Sequence, residues 1–398
     1  MTVDTPVRPS AAERRARIAV ALLFLTNGAV FANLLPRYPE IKAGLGMSNA
    51  VYGLAVAAFP AGAIVAGPAA GALVRRFGSA RVAVGCTLLT ALGALAAGTA
   101  GSVPVFAAAL FLAGAMDAVT DVAQNAHGLR VQRRYGRSVI NSFHASWSVG
   151  AVTGGAMAAG AIALDLTRGQ HLTVSAVVFG AVACLALRHC LPGPDTGPEA
   201  DGPENRQPRH PGTARRTAYV LTALVLIATA GTLVEDAGNS WAALYLSGSL
   251  HSSAALAATG YIALVGAQFV GRVIGDRLVD RFGQRAVARA GGLITAAGMG
   301  LALAVPTLPG TIAGFAAAGF GVATLVPAAM HEADALPGLR PGSGLTIVSW
   351  LMRLGFLLSP PVVGLVADAA GLRLGLLVVP LAGVLVVLFA GVLRSRER

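Results

Sequence analysis

The sequence predicts an all-α membrane protein of twelve transmembrane helices arranged as two pseudo-symmetric halves of six. Three observations carry that prediction. Of 398 residues, 55% are hydrophobic and 12% charged, with a mean hydropathy of +0.68, far from the roughly 25% charged content of ordinary soluble domains. The apolar stretches run about 20 residues or more, the length that crosses a hydrocarbon core of about 30 Å. A stretch rich in Pro, Gly and charge at 193–216 separates six such stretches from six more.

The first span covers 17–38. Arg8, Arg14, Arg15 and Arg17 lead into it, but its apolar run is too long for a signal peptide and no cleavage site follows, so it reads as a retained helix. Spans at 49–73, 80–101, 104–128, 139–163 and 172–191 complete the first half. Those at 217–238, 252–275, 286–306, 309–331, 343–367 and 373–393 make up the second. Gly and Pro inside spans are tolerated where neighbouring helices or a wet cavity satisfy the freed backbone, and the segments are too long for the strands of a membrane barrel. The expected organisation is a tail at 1–16, a half at 17–192, a linker at 193–216 too polar to fold, a half at 217–393, and a tail at 394–398.

A net charge of +12 raises the question of nucleic acid, and the placement of the cations answers it. All but five of the 30 Lys and Arg fall in the two tails, in the linker, or at the ends of spans 2, 4, 6, 8 and 10. Arg37, Lys42, Arg168 and Arg373 lie on the opposite side, and Arg353 lies within a span. This bias orients both termini towards the cytoplasm of a multi-pass cell-membrane protein and leaves no nucleic-acid role. Cys86, Cys184 and Cys190 have neither metal-ligand nor disulfide spacing. No phosphate loop, catalytic triad or metal cluster is present, so neither an enzyme nor a cofactor is expected.

The halves share a repeat. "GALVRRFGSAR" at 71–81 and "DRLVDRFGQR" at 276–285 align Arg76-Phe77-Gly78 with Arg281-Phe282-Gly283, each closing the second span of its half. Parallel repeats of this kind build secondary transporters with the solute site at the midplane between them. Here the chain resembles the major facilitator superfamily, whose loop signature Gly-x-Leu-x-Asp-Arg-x-Gly-x-Arg is matched by Leu278, Asp280, Arg281, Gly283 and Arg285, and in part by Gly71, Leu73, Arg76 and Gly78. The resemblance implies that Asp280, Arg281 and Gly283, with Arg76 and Gly78, latch one conformation; Arg75 stands where the first copy would have Asp. The same arginines also suit simple anchoring at the cytoplasmic face.

An ionisable side chain in mid-bilayer costs at least ~2.5 kcal/mol on insertion scales and marks a cavity or a partner. In "AMDAVTDVAQNAHG", Asp117, Asp121 and Asn125 share one face of span 4. Two carboxylates so close disfavour double ionisation, the property that a proton carrier uses. Pairing with Arg353, or with the basic loop Arg130 to Arg137, is the structural alternative. In span 5, Asn141, His144, Trp147 and Ser148 form a polar, aromatic face, on which His144 either meets solute or packs as a satisfied side chain. Span 7 carries Glu235 and Asp236, then Asn239, Trp241 and Tyr245; Trp241 serves binding or an aromatic belt. Arg353, beside Trp350, is expected to pair with a span 4 acid in one conformation only.

These residues sharpen the resemblance towards the fucose-permease-like branch of the superfamily. Asp121, Asn125 and "NSF" 141–143 resemble its acid-x-x-x-Asn step, "NLLPRY" 33–38 its exit from span 1, and "NSWAALYL" 239–246 and "GRVIGDRLVDRFG" 271–283 its spans 7 and 8. The resemblance implies that Asp121 is the proton-coupling acid; Asp117, on the same face, is the second candidate unless it is held as a structural partner. Where the branch's sugar symporter has a second acid in span 1, Ala32 and Asn33 stand here, and Glu235 is the candidate replacement across the cavity. Asn27 and Phe31, a turn apart in span 1, are candidates for solute contact.

The expected function is proton-coupled secondary transport of a small polar, sugar-like solute by alternating access, carried out by a monomer in a lipid bilayer. The rival is a proton-driven exporter of drugs or secondary metabolites, since Gly150, Gly154, Gly155 and Gly160 partly resemble a glycine-rich antiporter signature without its Gly-Pro step. Such small residues also let helices approach closely. A non-transporting receptor or scaffold is a third possibility, and it predicts that the intramembrane acids are dispensable.

Overall fold

The computed structural model describes residues 10–135, 139–193, 211–336, 339 and 343–393, and their regular structure is helical throughout. Arg8, Arg137, the linker stretch 194–210 and the tail at 394–398 lie outside the described residues, as does the side chain of Asn141.

Helix α1, Ala11–Ala32, starts six residues before the first expected span because Ser10 and Glu13 form a capping box: Ser10 Oγ accepts from the Glu13 amide at 3.2 Å and Glu13 Oε2 from the Ser10 amide at 2.7 Å. Pro36 and Pro39, which have no amide to donate, then break the chain into a 3-10 turn, Leu35–Arg37, and the short α2, Tyr38–Gly44. Arg37 is buried here and donates to Leu166 O at 2.7 Å, Glu40 at 3.0 Å and His171 Nδ1 at 3.3 Å. The second span is α3, Asn49–Val56, capped by Ser48, which bends at Ala57 into α4, Ala58–Phe77. After α5, Ser79–Gly98, comes α6, Val103–Tyr135, whose 33 residues outrun the expected span by carrying "LRVQRRY" beyond the apolar stretch. Helices α7, Ile140–Ala163, and α8, Arg168–Leu187, follow.

Helix α9, Pro211–Leu244, begins inside what reads from sequence as linker and runs on into a π-turn at Tyr245–Ser249. Next come α10, Ala254–Phe282, and α11, Gln284–Ala304. The tenth span divides into α12, Leu308–Val322, and α13, Leu325–Asp334. The eleventh divides at Met352 into α14, Ser343–Leu351, and α15, Arg353–Ala370, and the chain closes with α16, Leu372–Gly375, and α17, Val378–Phe389. Among the described residues eleven segments are long and apolar enough to cross a membrane, one for each expected span except the fifth. In that one, α7 has 24 residues and carries Ser142, His144, Ser146 and Ser148 in its first turns.

The repeat read from the sequence is matched in the backbone. Gly78 (φ 85°, ψ 141°) ends α4 and Gly283 (φ 82°, ψ 155°) ends α10 in the same left-handed conformation, each returning its amide to the carbonyl four residues back. In both copies the Arg guanidinium lies over the following Phe ring, at 5.3 and 5.4 Å.

Helices α1 and α4–α8 pack among themselves, and so do α9–α13, α15 and α17. The two groups meet where α3 lies against α15 and α7 against α10. The first seam is very close: a Cβ on Gly53 would stand 2.2 Å from Pro360 O, and one on Gly364 2.4 Å from Asn49 O. Both oxygens of Asp368, at the C-terminal end of α15, accept from the first amides of α3, Asn49 N and Ala50 N, each at 2.8 Å. Those amides have no carbonyl partner within their own helix, and a carboxylate suits the positive end of its dipole. This end of the molecule, the far end, is also filled by aromatics. Tyr52 stands edge-on to Trp241 at 4.9 Å and to Tyr38 at 5.7 Å, and donates to Ser240 O at 2.7 Å. The opposite, tail end carries the Gly78 and Gly283 turns.

Candidate functional site

A cavity of about 230 Å³ lies between the two groups of helices, beneath the far-end aromatics. One wall comes from α1, α4, α6 and α7, the other from α9, α10 and α15. On the first wall Phe31 and Phe59 stack with centroids 4.0 Å apart, and beside them runs a polar chain. Trp147 Nε1 donates to Asn27 Oδ1 at 2.9 Å, and Asn27 Nδ2 donates to Asp117 Oδ1 at 2.7 Å. The indole N–H is a donor only, so it fixes the amide oxygen towards Trp147 and the amide nitrogen towards the carboxylate. Gln124 Nε2 adds a longer bond to Asn27 Oδ1 at 3.4 Å. Three helices thereby hold one carboxylate in a single orientation at the cavity edge.

The second wall is built mainly on one face of α9. Glu235 Oε2 accepts from Gln268 Nε2 at 2.7 Å and lies 3.7 Å from Arg272 Nη2. Asp236 is buried; its Oδ1 accepts from Ser240 Oγ at 3.4 Å and the Ser359 hydroxyl also bears on its carboxylate, while its Oδ2 has no partner at hydrogen-bond geometry. Asn239 Oδ1 is likewise buried without a partner, and so is the hydroxyl of Tyr38 at the far-end edge. Tyr261, Phe356 and Arg353 complete the wall. Among the described residues no ion pair joins Arg353 to Asp117 or Asp121, although it acts on both electrostatically.

The structure gathers Asn27, Phe31, Asp117, Trp147, Glu235, Asn239 and Arg353 on one cavity. It does not gather the other candidates there. Asp121 is exposed, off the cavity, and accepts from Asn125 Nδ2 at 2.9 Å. His144 is exposed too, and sits edge-on to Phe24 at 5.2 Å. Trp241 is fully buried against Tyr52, so its ring seals the far end rather than facing solute. Trp350 is 57% exposed on α14 and away from the cavity. From sequence Asp236 reads only as the neighbour of Glu235, Tyr38 only as the end of "NLLPRY", and nothing singles out Phe59 or Tyr261; the i, i+4 pair Asp236 and Ser240 is the available signal.

The family model for the Major Facilitator Superfamily matches residues 20–277 and 236–398. The chain belongs to the major facilitator superfamily. It is similar over its length to the uncharacterized transporter y4wD of Sinorhizobium fredii, at 32% identity covering 94% of this chain and 97% of that protein. It is also similar to the membrane protein MosC of Rhizobium meliloti, at 30% identity covering 92% and 88%. Among solved structures, a D-xylose-proton symporter superposes with a TM-score of 0.71 at 16% identity, covering 95% of this chain and 96% of that one. The protein is a multi-pass membrane transporter of this superfamily.

Asp280, Arg281 and Arg76 are exposed beside the Gly283 and Gly78 turns. The glycines that partly resembled an antiporter signature act largely as contact points. A Cβ on Gly150 would lie 2.0 Å from Leu25 O, one on Gly154 2.4 Å from Ala29 O, and one on Gly155 2.8 Å from the Tyr261 ring. Close packing of α7 on α1 and α10 therefore accounts for three of the four.

Proposed function

We propose that the protein is a proton-coupled secondary transporter of a small polar, sugar-like solute, and that Asp117 is its coupling acid. In this reading twelve spans in two six-helix halves rock about the cavity, as a monomer in the cell membrane, with the tail end cytoplasmic and the far end outside. The observation that carries it is the Trp147–Asn27–Asp117 chain at the cavity edge. A carboxylate kept within a span at a cost of at least ~2.5 kcal/mol has a reason to be there, and here it stands beside the space that a solute would fill. The resemblance to the fucose-permease-like branch pointed to Asp121 instead. That side chain is exposed and off the cavity, a position suited to relaying protons between Asp117 and the cytoplasm.

Size supports a small solute, since about 230 Å³ falls below the roughly 300–1,000 Å³ of drug-sized sites. The name of one solved neighbour, a D-xylose-proton symporter, agrees in kind. The sealed far end, with Tyr38, Tyr52 and Trp241 all fully buried, supports reading this conformation as inward-facing. The test is the Asp117→Asn variant in proteoliposomes. It is expected to exchange solute down a gradient while losing uphill accumulation, and accumulation equal to wild type would remove Asp117 from the coupling step.

A further inference from the structure

We infer that the far-end wall of the cavity, formed by Tyr38, Asp236 and Asn239, is a subsite for two neighbouring hydroxyl groups of the solute. This rests on the reading of the cavity as a solute site and specifies the class of group bound there. Three polar atoms on this wall are buried and unpartnered: Tyr38 Oη, Asp236 Oδ2 and Asn239 Oδ1. Tyr38 is 0% exposed and Asp236 7%, and all three residues line the same cavity. A buried polar group without a partner is destabilising. The three belong to residues that line one cavity, and a ligand that enters between them and completes them accounts for all three together.

The kind of atom selects the ligand. Asp236 Oδ2, as a carboxylate oxygen, and Asn239 Oδ1 need donors, whereas Tyr38 has a proton to give. A carboxylate or phosphate offers acceptors only and leaves Asn239 Oδ1 without a donor. An ammonium offers donors only and leaves the Tyr38 proton unmatched. A pair of adjacent hydroxyls gives two donors and can accept from Tyr38, and because a hydroxyl also accepts, it satisfies Asn239 in either amide orientation. Asp236 and Asn239 lie three residues apart on α9, neighbours on one face, so a compact pair of hydroxyls reaches both. The carbon skeleton between this subsite and Asp117 would meet the stacked Phe31 and Phe59, an apolar surface suited to C–H groups.

The hydroxyl of Tyr38 gives the cleanest test, because the empty protein gains nothing visible from it. Full-length wild type and Tyr38→Phe are placed in nanodiscs, and affinities are measured for a panel of aldopentoses, aldohexoses and cyclic polyols. Their monodeoxy analogues are included, with cyclohexylamine and cyclohexanecarboxylate as controls. Wild type is expected to bind at least one polyhydroxylated probe, and removal of one hydroxyl of an adjacent pair is expected to weaken it about tenfold. Tyr38→Phe should weaken the parent probe by a similar factor, shrink the penalty for the deoxy analogue, and leave the melting temperature of the empty protein equal or higher. Asp236→Asn should reproduce the affinity loss. The inference is overturned if Tyr38→Phe lowers the melting temperature with no change in affinity, or if the deoxy penalty is the same in both proteins. Binding of the amine or the carboxylate alone overturns it and leaves the transport reading standing. No binding and no transmembrane movement of any probe overturns both.

Discussion

Gly53→Ala should shift the protein towards a far-end-open state without unfolding it. The added methyl would stand 2.2 Å from Pro360 O, 2.8 Å from Pro360 C and 3.2 Å from Pro361 Cα. All three are backbone atoms of a Pro-Pro step, so no side chain can swing away, and α3 and α15 must separate by about 1 Å to restore ordinary contact. Overpacking of this kind costs about 1–3 kcal/mol, equivalent to a fall of about 5- to 150-fold in the ratio of closed to open. In the proposed rocking cycle the cost falls on one state alone, because the contact joins the two groups of helices. Gly62→Ala is the control: its methyl would lie 2.0 Å from Phe111 O, a contact between α4 and α6 within one group, so every state carries the strain and stability falls instead. The assay is a spin-label distance between Ser102 and Thr307, exposed positions in far-end loops, in a background with Cys86, Cys184 and Cys190 replaced. Gly53→Ala is expected to populate longer distances and Gly62→Ala to lower the melting temperature at unchanged distance. The reasoning fails if Gly53→Ala merely lowers the melting temperature as the control does.

Other perturbations separate the parts of the account. Asp368→Ala removes both acceptors from the α3 amides, worth about 0.5–2 kcal/mol for a helix cap; the same spin labels should show far-end opening, with Asp368→Asn giving a smaller shift. Gly78→Ala forces an L side chain to φ 85°, and about 1–2 kcal/mol of strain should appear as a lower melting temperature, as should Gly283→Ala at φ 82°. Trp147→Phe deletes the donor that orients Asn27, so the amide no longer has to present its nitrogen to Asp117. The expected result is weaker coupling of solute to proton flux with the fold intact, read as the ratio of the two fluxes in proteoliposomes.

Much of the fold was legible because the bilayer imposes a simple length rule, and because Arg76-Phe77-Gly78 and Arg281-Phe282-Gly283 need the same turn in both copies. Helix ends were less so. The start of α1 was encoded locally, in Ser10 and Glu13, but a hydropathy threshold does not register a polar cap. The extension of α6 to Tyr135 and the start of α9 at Pro211 carry polar helix beyond the apolar core, where hydropathy gives no signal. At the site, carboxylates were conspicuous in an apolar sequence, so Asp117 and Glu235 stood out. Which of two acids one turn apart faces the cavity depends on the rotation of α6, set by its packing against α4 and α5. Trp241 and Tyr38 show the same limit from the other side, since buried plug and cavity wall draw on the same aromatic residues.

The central claim is that Asp117 couples a proton to solute, and a pH-sensitive dye trapped inside proteoliposomes tests it most directly. Adding a transported solute outside should acidify the lumen with wild type, while Asp117→Asn should move the solute with no pH change. Equal lumen acidification by wild type and Asp117→Asn at equal solute flux would contradict the account.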